Sequence, residues 1–216
     1  MNRGHYQGLH ISVEGVPGSG KTKVLAILNE IYEVQILDEL HPIIEYEART
    51  NLIDRYNNGD AGAAMQWILT QTNNFARRIN NVNKQIIIEK NSLTCMKETH
   101  LRLCADRKEI SDLDCSIIRG ICNTLSGNLI NEPEVIIFVN GDPRIARARH
   151  MDIRYPGNNP ISEERIMRLH SYYTDWLKQR GTYQTPVYEI NGLLDDMTLR
   201  QEVYSTYSRI RGKYDF

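Results

Sequence analysis

The residues whose types and spacing suit them to chemistry begin at Gly15. The octet Gly15-Val16-Pro17-Gly18-Ser19-Gly20-Lys21-Thr22 fits G-x-x-x-x-G-K-[ST], a pattern whose glycines let backbone N–H groups turn inward around phosphate oxygens. Lys21 is the residue expected to reach the β- and γ-phosphates, and the Thr22 hydroxyl the one expected to join a magnesium shell. All eight positions are therefore expected to hold a nucleoside triphosphate with Mg2+. A plain glycine-rich turn has no use for Gly-Lys-Thr in this order. The octet alone does not separate a kinase from an ATPase or a GTPase. No N-K-x-D segment that would read guanine is present, and Asp38-Glu39 after the apolar Val34–Leu37 keeps an ATPase reading open.

Such a loop works only between a strand and a helix, and the surrounding sequence supplies both. Leu9–Glu14 (LHISVE) reads as the strand and Lys21–Ile31 as the helix. Four more stretches read as strands: Glu33–Leu37, Gln85–Glu89, Glu134–Asn140 and Pro186–Ile190. Ile86–Ile88 and Val135–Val139 lack alternation, as strands covered on both faces do. Helical spacing of apolar residues marks Gly62–Val82 and Ser111–Leu125. Pro160–Arg180 carries Ser162, Glu163 and Glu164 at its start and stops at Gly181. Alternating strands and helices predict an α/β fold with a doubly wound five-stranded parallel sheet, which binds ligands at the carboxyl ends of its strands.

The 216 residues suit a single domain spanning 1–216, with no internal repeat or linker. A formal net charge of −1 gives no global attraction to nucleic acid or to an anionic membrane, so attraction for phosphate must be local. No apolar run approaches the ~20 residues that span a bilayer. Cys95, Cys104, Cys115 and Cys122 contain no C-x-x-C pair, and no secretory signal precedes the first strand. They read as buried free thiols of a protein in the cytoplasm or nucleus.

Taken in order from Leu9 to Ile190, the motifs resemble those of the deoxynucleoside kinases of the non-zinc thymidine kinase and deoxycytidine kinase type. Glu14–Thr22 is similar to the family's E-G-N-I-G-S-G-K-T, and Asp38-Glu39-Leu40 stands where it has T/C-E-P. By this resemblance Glu39 is the general base that receives the 5′-hydroxyl proton of a deoxynucleoside. Asn51–Tyr56 resembles N-L-L-D-x-x-Y with one residue fewer, which implies that Tyr56 binds the sugar 3′-hydroxyl. Gln66, in a stretch similar to F-Q-x-Y/W, is implied to read the base with its paired donor and acceptor. Ile44 and Leu69 join it in the implied substrate pocket.

Glu89-Lys90-Asn91 occupies the place of the family's E-R-S. Glu89 would help hold Mg2+, and Lys90 stands for the arginine at the 5′-oxygen, keeping its charge without its bidentate fork. The segment from Asp142 to Gly157 resembles the family's arginine-bearing lid, and it makes Arg147, Arg149 and Arg154 the expected clamp on the transferring phosphoryl group. The lid glutamate that often meets the 3′-hydroxyl is not matched. Asn191–Asp195 resembles the loop over the adenine of ATP. Deoxycytidine kinases place an Arg and an Asp where this chain has Asn73 and Cys95, and a small neutral Cys95 leaves room for a 5-methyl group. The resemblance thus implies an ATP- and Mg2+-dependent deoxynucleoside kinase, thymidine favoured, acting on a small molecule as a homodimer. Thymidylate kinase and a non-catalytic nucleotide-binding protein are the rivals.

Overall fold

The computed structural model describes residues 8–37, 55, 60, 62–63, 66, 70, 85–128, 132–154, 161–182 and 185–214. Five strands, β1 (Leu9–Glu14), β2 (Val34–Leu37), β3 (Ile86–Lys90), β4 (Val135–Asn140) and β5 (Val187–Asn191), form one sheet in the order β2-β3-β1-β4-β5. Every pairing is parallel. The five expected strands are all present, each within a residue of its expected bounds. The chain starts at the central strand, runs out to the β2 edge, returns inward to β3, and then crosses β1 to β4 and β5, so a topological switch point lies at the carboxyl end of β1.

β4 shows why its sequence does not alternate. Val135, Ile137 and Val139 pack on one side of the sheet, Ile136 and Phe138 on the other, and all five are buried. On the first side lie α1 (Lys21–Leu28) and a carboxyl-terminal helix that ends the fold, Asp196–Arg211. On the second side lies a helical segment after β3, called α2, which runs as Leu93–Cys95, a π-helical Met96–Leu101 and Arg102–Asp106. The helix Asp112–Asn128 (α3) follows α2, Pro143–Arg154 (α4) follows β4, and Glu163–Thr182 (α5) covers the second side with Tyr173, Trp176 and Leu177. The last helix is α6. Each fully buried Ile, Val or Leu in these two layers stabilises the fold by about 1.5–3 kcal/mol.

Among the described residues, five of the six helices α1–α6 start at side-chain caps, α1 being the exception. Ser92 opens α2, Ser111 opens α3, Ser162 opens α5, and Asp195 opens α6 by accepting from Met197 N and Thr198 N. Asp142 does the same for α4 through Arg144 N. The helix expected over Ser111–Leu125 runs to Asn128, and the one ending at Arg180 runs to Thr182. The expected Gly62–Val82 helix lies mostly outside the described residues, of which Gly62, Ala63, Gln66 and Thr70 are helical. α6 is a helix the sequence analysis did not anticipate. It is held to α1 and its exit by Arg200 and Tyr204 on Glu30, and by Tyr207 and Arg211 on Glu33. All four cysteines are buried free thiols. Among the described residues no helix is long and apolar enough to cross a membrane.

Candidate active site

β1 delivers the chain into the octet at the switch point. Gly15, Gly18 and Gly20 have φ of 148°, 80° and 107°, a region that residues with a Cβ rarely adopt. Close packing excludes a side chain as well. A Cβ on Gly18 would lie 1.8 Å from the carbonyl oxygen of Ala146 in α4, and one on Gly192 would lie 1.8 Å from that of Ser19. The loop is thus walled by α4 on one side and by the turn after β5 on the other.

Gly20 also serves as the N-cap of α1. It offers no side-chain cap, and no acid stands in the first turn, so the positive end of α1 and its leading amides suit an anion. Lys21 is buried, and its Nζ donates to Gly15 O at 2.5 Å and Val16 O at 2.9 Å. The ammonium therefore sits inside the arch of the loop that precedes it. Thr22 is exposed one position further along.

The carboxyl end of β3 forms the facing wall. Lys90, half-buried, is in register with Val13 of β1. Asn91 then takes a left-handed φ of 58°, and Ser92 starts α2. Glu89 is buried with Oε1 3.0 Å from His10 Nε2. Among the described residues no group of three or more His, Cys, Asp or Glu side chains could hold a metal ion. Glu89 and Thr22 offer one carboxylate and one hydroxyl, oxygen donors of the kind Mg2+ takes beside waters and phosphate oxygens.

Between the two walls lies a carboxyl group that the sequence analysis did not single out as a site residue. Glu14 is fully buried, its Oε1 accepts the Ser92 N–H at 2.8 Å, and the neighbouring Cys95 thiol lies 3.6 Å from Thr99 Oγ1. Burial pushes its pKa up to about 7, only partly opposed by the bonds from Cys95 and Ser92. Burial, reinforced by the Glu14 carboxyl, likewise holds the Cys95 thiol well above its usual range. Farther along α2, burial and the nearby Lys21 and Arg165 charges press His100 down to about 3. Its Nε2 lies 3.5 Å from the Tyr173 hydroxyl. A signal for this cluster was present in LHISVE. Leu9, Ile11 and Val13 alternate with His10, Ser12 and Glu14, and all six are buried, so one face of β1 is a buried polar stripe.

The lid arginines have partners of their own. Arg147 Nε donates to Ile161 O at 2.7 Å, and Arg149 donates from both terminal nitrogens to Gly192 O and Leu193 O at 3.2 Å each. Here they brace α4 against the chain beyond the lid and against the turn after β5. A phosphate clamp built from them requires exchange of these carbonyls for phosphate oxygens. The side chain of Arg154 lies outside the described residues, as do Glu39, Ile44, Tyr56 and Leu69 in full. Gln66 is exposed on a helical turn, and Cys95 faces the interior rather than an open cleft.

Residues 11–209 match the deoxynucleoside kinase family. The chain belongs to it. Among solved structures, a deoxyadenosine kinase from M. mycoides with the products dCMP and a flexible dCDP bound is similar, with a TM-score of 0.71 and 16% identity. That match covers 94% of this chain and 100% of the other. A deoxyadenosine kinase from M. mycoides with bound dATP gives a TM-score of 0.72 at 18% identity, covering 93% and 99%. At such identities the likeness is one of fold, the fold of P-loop kinases. No curated protein sequence matches the chain. For a deoxynucleoside kinase the arrangement is economical: the phosphate loop, Glu89 and Lys90 all stand at the carboxyl ends of β1 and its neighbour β3.

Proposed function

We propose that the chain transfers the γ-phosphoryl group of ATP to the 5′-hydroxyl of a deoxynucleoside, thymidine being the preferred acceptor. The supporting observation is the glycine-lined phosphate loop at the uncapped start of α1, set beside Glu89 and Lys90 within a member of this family. The loop amides and Lys21 bind the donor phosphates and offset their charge as the transition state spreads it. Lys90 steadies the 5′-oxygen, and Glu39 takes its proton. A bond forms between that oxygen and the γ-phosphorus, the bond to the β,γ-bridging oxygen breaks, and ADP leaves. Thr22 and Glu89 would hold Mg2+, which supplies neutralisation of phosphate charge when bound.

Preference for thymidine rests on the resemblance alone, which sets an uncharged Cys95 where deoxycytidine kinases have Asp, since the thiol itself faces the interior. The related enzymes described with dCMP, dCDP and dATP make other deoxynucleosides the proper controls. A homodimer is part of this proposal, and sedimentation across a concentration series checks it. Transfer of labelled phosphate from ATP to a panel of nucleosides and nucleoside monophosphates tests the activity. Fastest labelling of thymidine is expected. Labelling of monophosphates alone would replace the proposal with a thymidylate-type kinase, and ATP binding without transfer would replace it with a non-catalytic nucleotide-binding protein.

A further inference from the structure

A carboxyl group in a dry interior costs several kcal/mol if it must ionise there, and an apolar residue would fill the same site at no such cost. Glu14 nevertheless occupies the last position of β1, fully buried, directly before the first glycine of the phosphate loop. Its two oxygens are used unequally. Oε1 accepts the Ser92 N–H at 2.8 Å, whereas Oε2 is buried and makes no hydrogen bond among the described residues.

The Ser92 N–H lies two residues beyond Lys90. The backbone leaves β3 there through Asn91, whose N–H still reaches Val13 O at 3.2 Å, and whose left-handed φ reverses the chain. Ser92 then caps α2 by accepting from Cys95 N at 3.2 Å, and the buried Cys95 thiol lies 3.6 Å from Thr99 Oγ1. One carboxyl thereby holds the turn beyond Lys90 at Ser92, the residue that caps α2. The β1–β3 ladder ends at the Val13–Lys90 pair, and past Asn91 the Glu14 side chain takes over from backbone pairing.

We propose that Glu14 is a positioning residue for phosphoryl transfer: it locks the Lys90–Ser92 turn, and with it the Lys90 ammonium, to the phosphate loop. The assignment rests on the kinase reading above and adds to it a mechanical link between the donor and acceptor halves of the site. Without that link the turn loses its buried acceptor, and Lys90 relaxes away from the reacting oxygen while the donor cradle stays built. Displacement of about an ångström at such a group costs on the order of a hundredfold in rate.

Steady-state kinetics on the full chain separate this role from a structural one. Glu14→Ala is expected to lower kcat by about tenfold or more with KM for ATP within about threefold, the split of an interaction made at the transition state. Glu14→Gln keeps a carbonyl acceptor for Ser92 N–H and is expected to recover most of the lost kcat. In a Lys90→Ala background, Glu14→Ala should cost little more, since both changes act on one unit. If the alanine variant does not fold, Glu14→Asp, which withdraws the acceptor by one methylene, is expected to give the same split. Equal damage from Gln and Ala, a rise in KM for ATP in step with the fall in kcat, or full additivity with Lys90→Ala would overturn the assignment. Wild-type transfer with an unimpaired Glu14→Ala variant would overturn it alone. Absence of transfer by the wild-type chain would overturn the kinase reading as well.

Discussion

At the scale of single residues, the site is a set of charges placed where water cannot screen them. Lys21 is nested in the carbonyls of Gly15 and Val16, a placement that holds its ammonium inside the arch of the loop. Lys21→Met is expected to reduce transfer by a hundredfold or more, on the order seen when a fixed charge on the phosphoryl group is removed. The thermal midpoint should change far less, and a scanning unfolding experiment beside the kinetics checks both. Cys95 offers a sharper test of its neighbourhood. Cys95→Asp would set a second carboxyl against buried Glu14, where two charges cannot both be kept. The expected loss is about 3 kcal/mol at pH 7.5, or roughly 6–12 °C in Tm. Cys95→Ser keeps a neutral donor and should cost about 1 kcal/mol. Equal midpoints for the two variants would show that the thiol does not meet Glu14.

At the scale of elements, the donor half is a matter of close approach. The loop fits because Gly18 lets α4 come in at Ala146, and Gly192 lets the turn after β5 come in at Ser19. Gly18→Ala and Gly192→Ala are each expected to lower Tm by several degrees and to weaken ATP binding by about tenfold or more, because backbone cannot yield as a side chain does. Calorimetric titration with ATP reads the second effect. Gly120→Ala in α3, where an added Cβ meets nothing, should instead stabilise by about 0.5–1 kcal/mol. The lid stem belongs to this scale too, since Arg147 and Arg149 tie α4 to backbone on either side of the loop.

At the scale of the whole molecule, two buried groups on opposite proton accounts shape stability. Glu14 holds its proton in the fold up to about pH 7, whereas an unfolded carboxyl releases it near 4.5. Folding stability from this group is full below about 4.5 and is lost as pH rises through about 7. His100 stays neutral in the fold down to about 3, whereas an unfolded imidazole takes a proton near 6.5. Its contribution is present above about 6.5 and is lost as pH falls toward 3. The change is on the order of 3 kcal/mol for Glu14 and about 5 kcal/mol for His100. The charged or titratable neighbours that set them are Cys95 and Glu89 for Glu14, and Lys21 and Arg165 for His100. Between about pH 4.5 and 6.5 the two slopes oppose, so urea unfolding should show a broad plateau there. Glu14→Gln is expected to unmask a positive slope in that window and His100→Gln a negative one. A slope unchanged by either variant would contradict the burial of that group.

The octet and the five strands were legible in the sequence because each is a local pattern: glycines at the positions that need them, and apolar runs of strand length. α6 was not foreseen, since its docking on Glu30 and Glu33 is settled by residues about 170 positions away in the chain. The helical turn at Met96–Leu101 and the partners of Arg147 and Arg149 escaped for the same reason. Sequence by itself determined that a G-x-x-x-x-G-K-T loop joins the first strand to a helix and that Glu89 and Lys90 end the third strand. Only the tertiary structure decided that Glu14 ties the end of β1 to the turn beyond Lys90, because burial, not spacing, raises its pKa and sets its Oε1 against the Ser92 N–H.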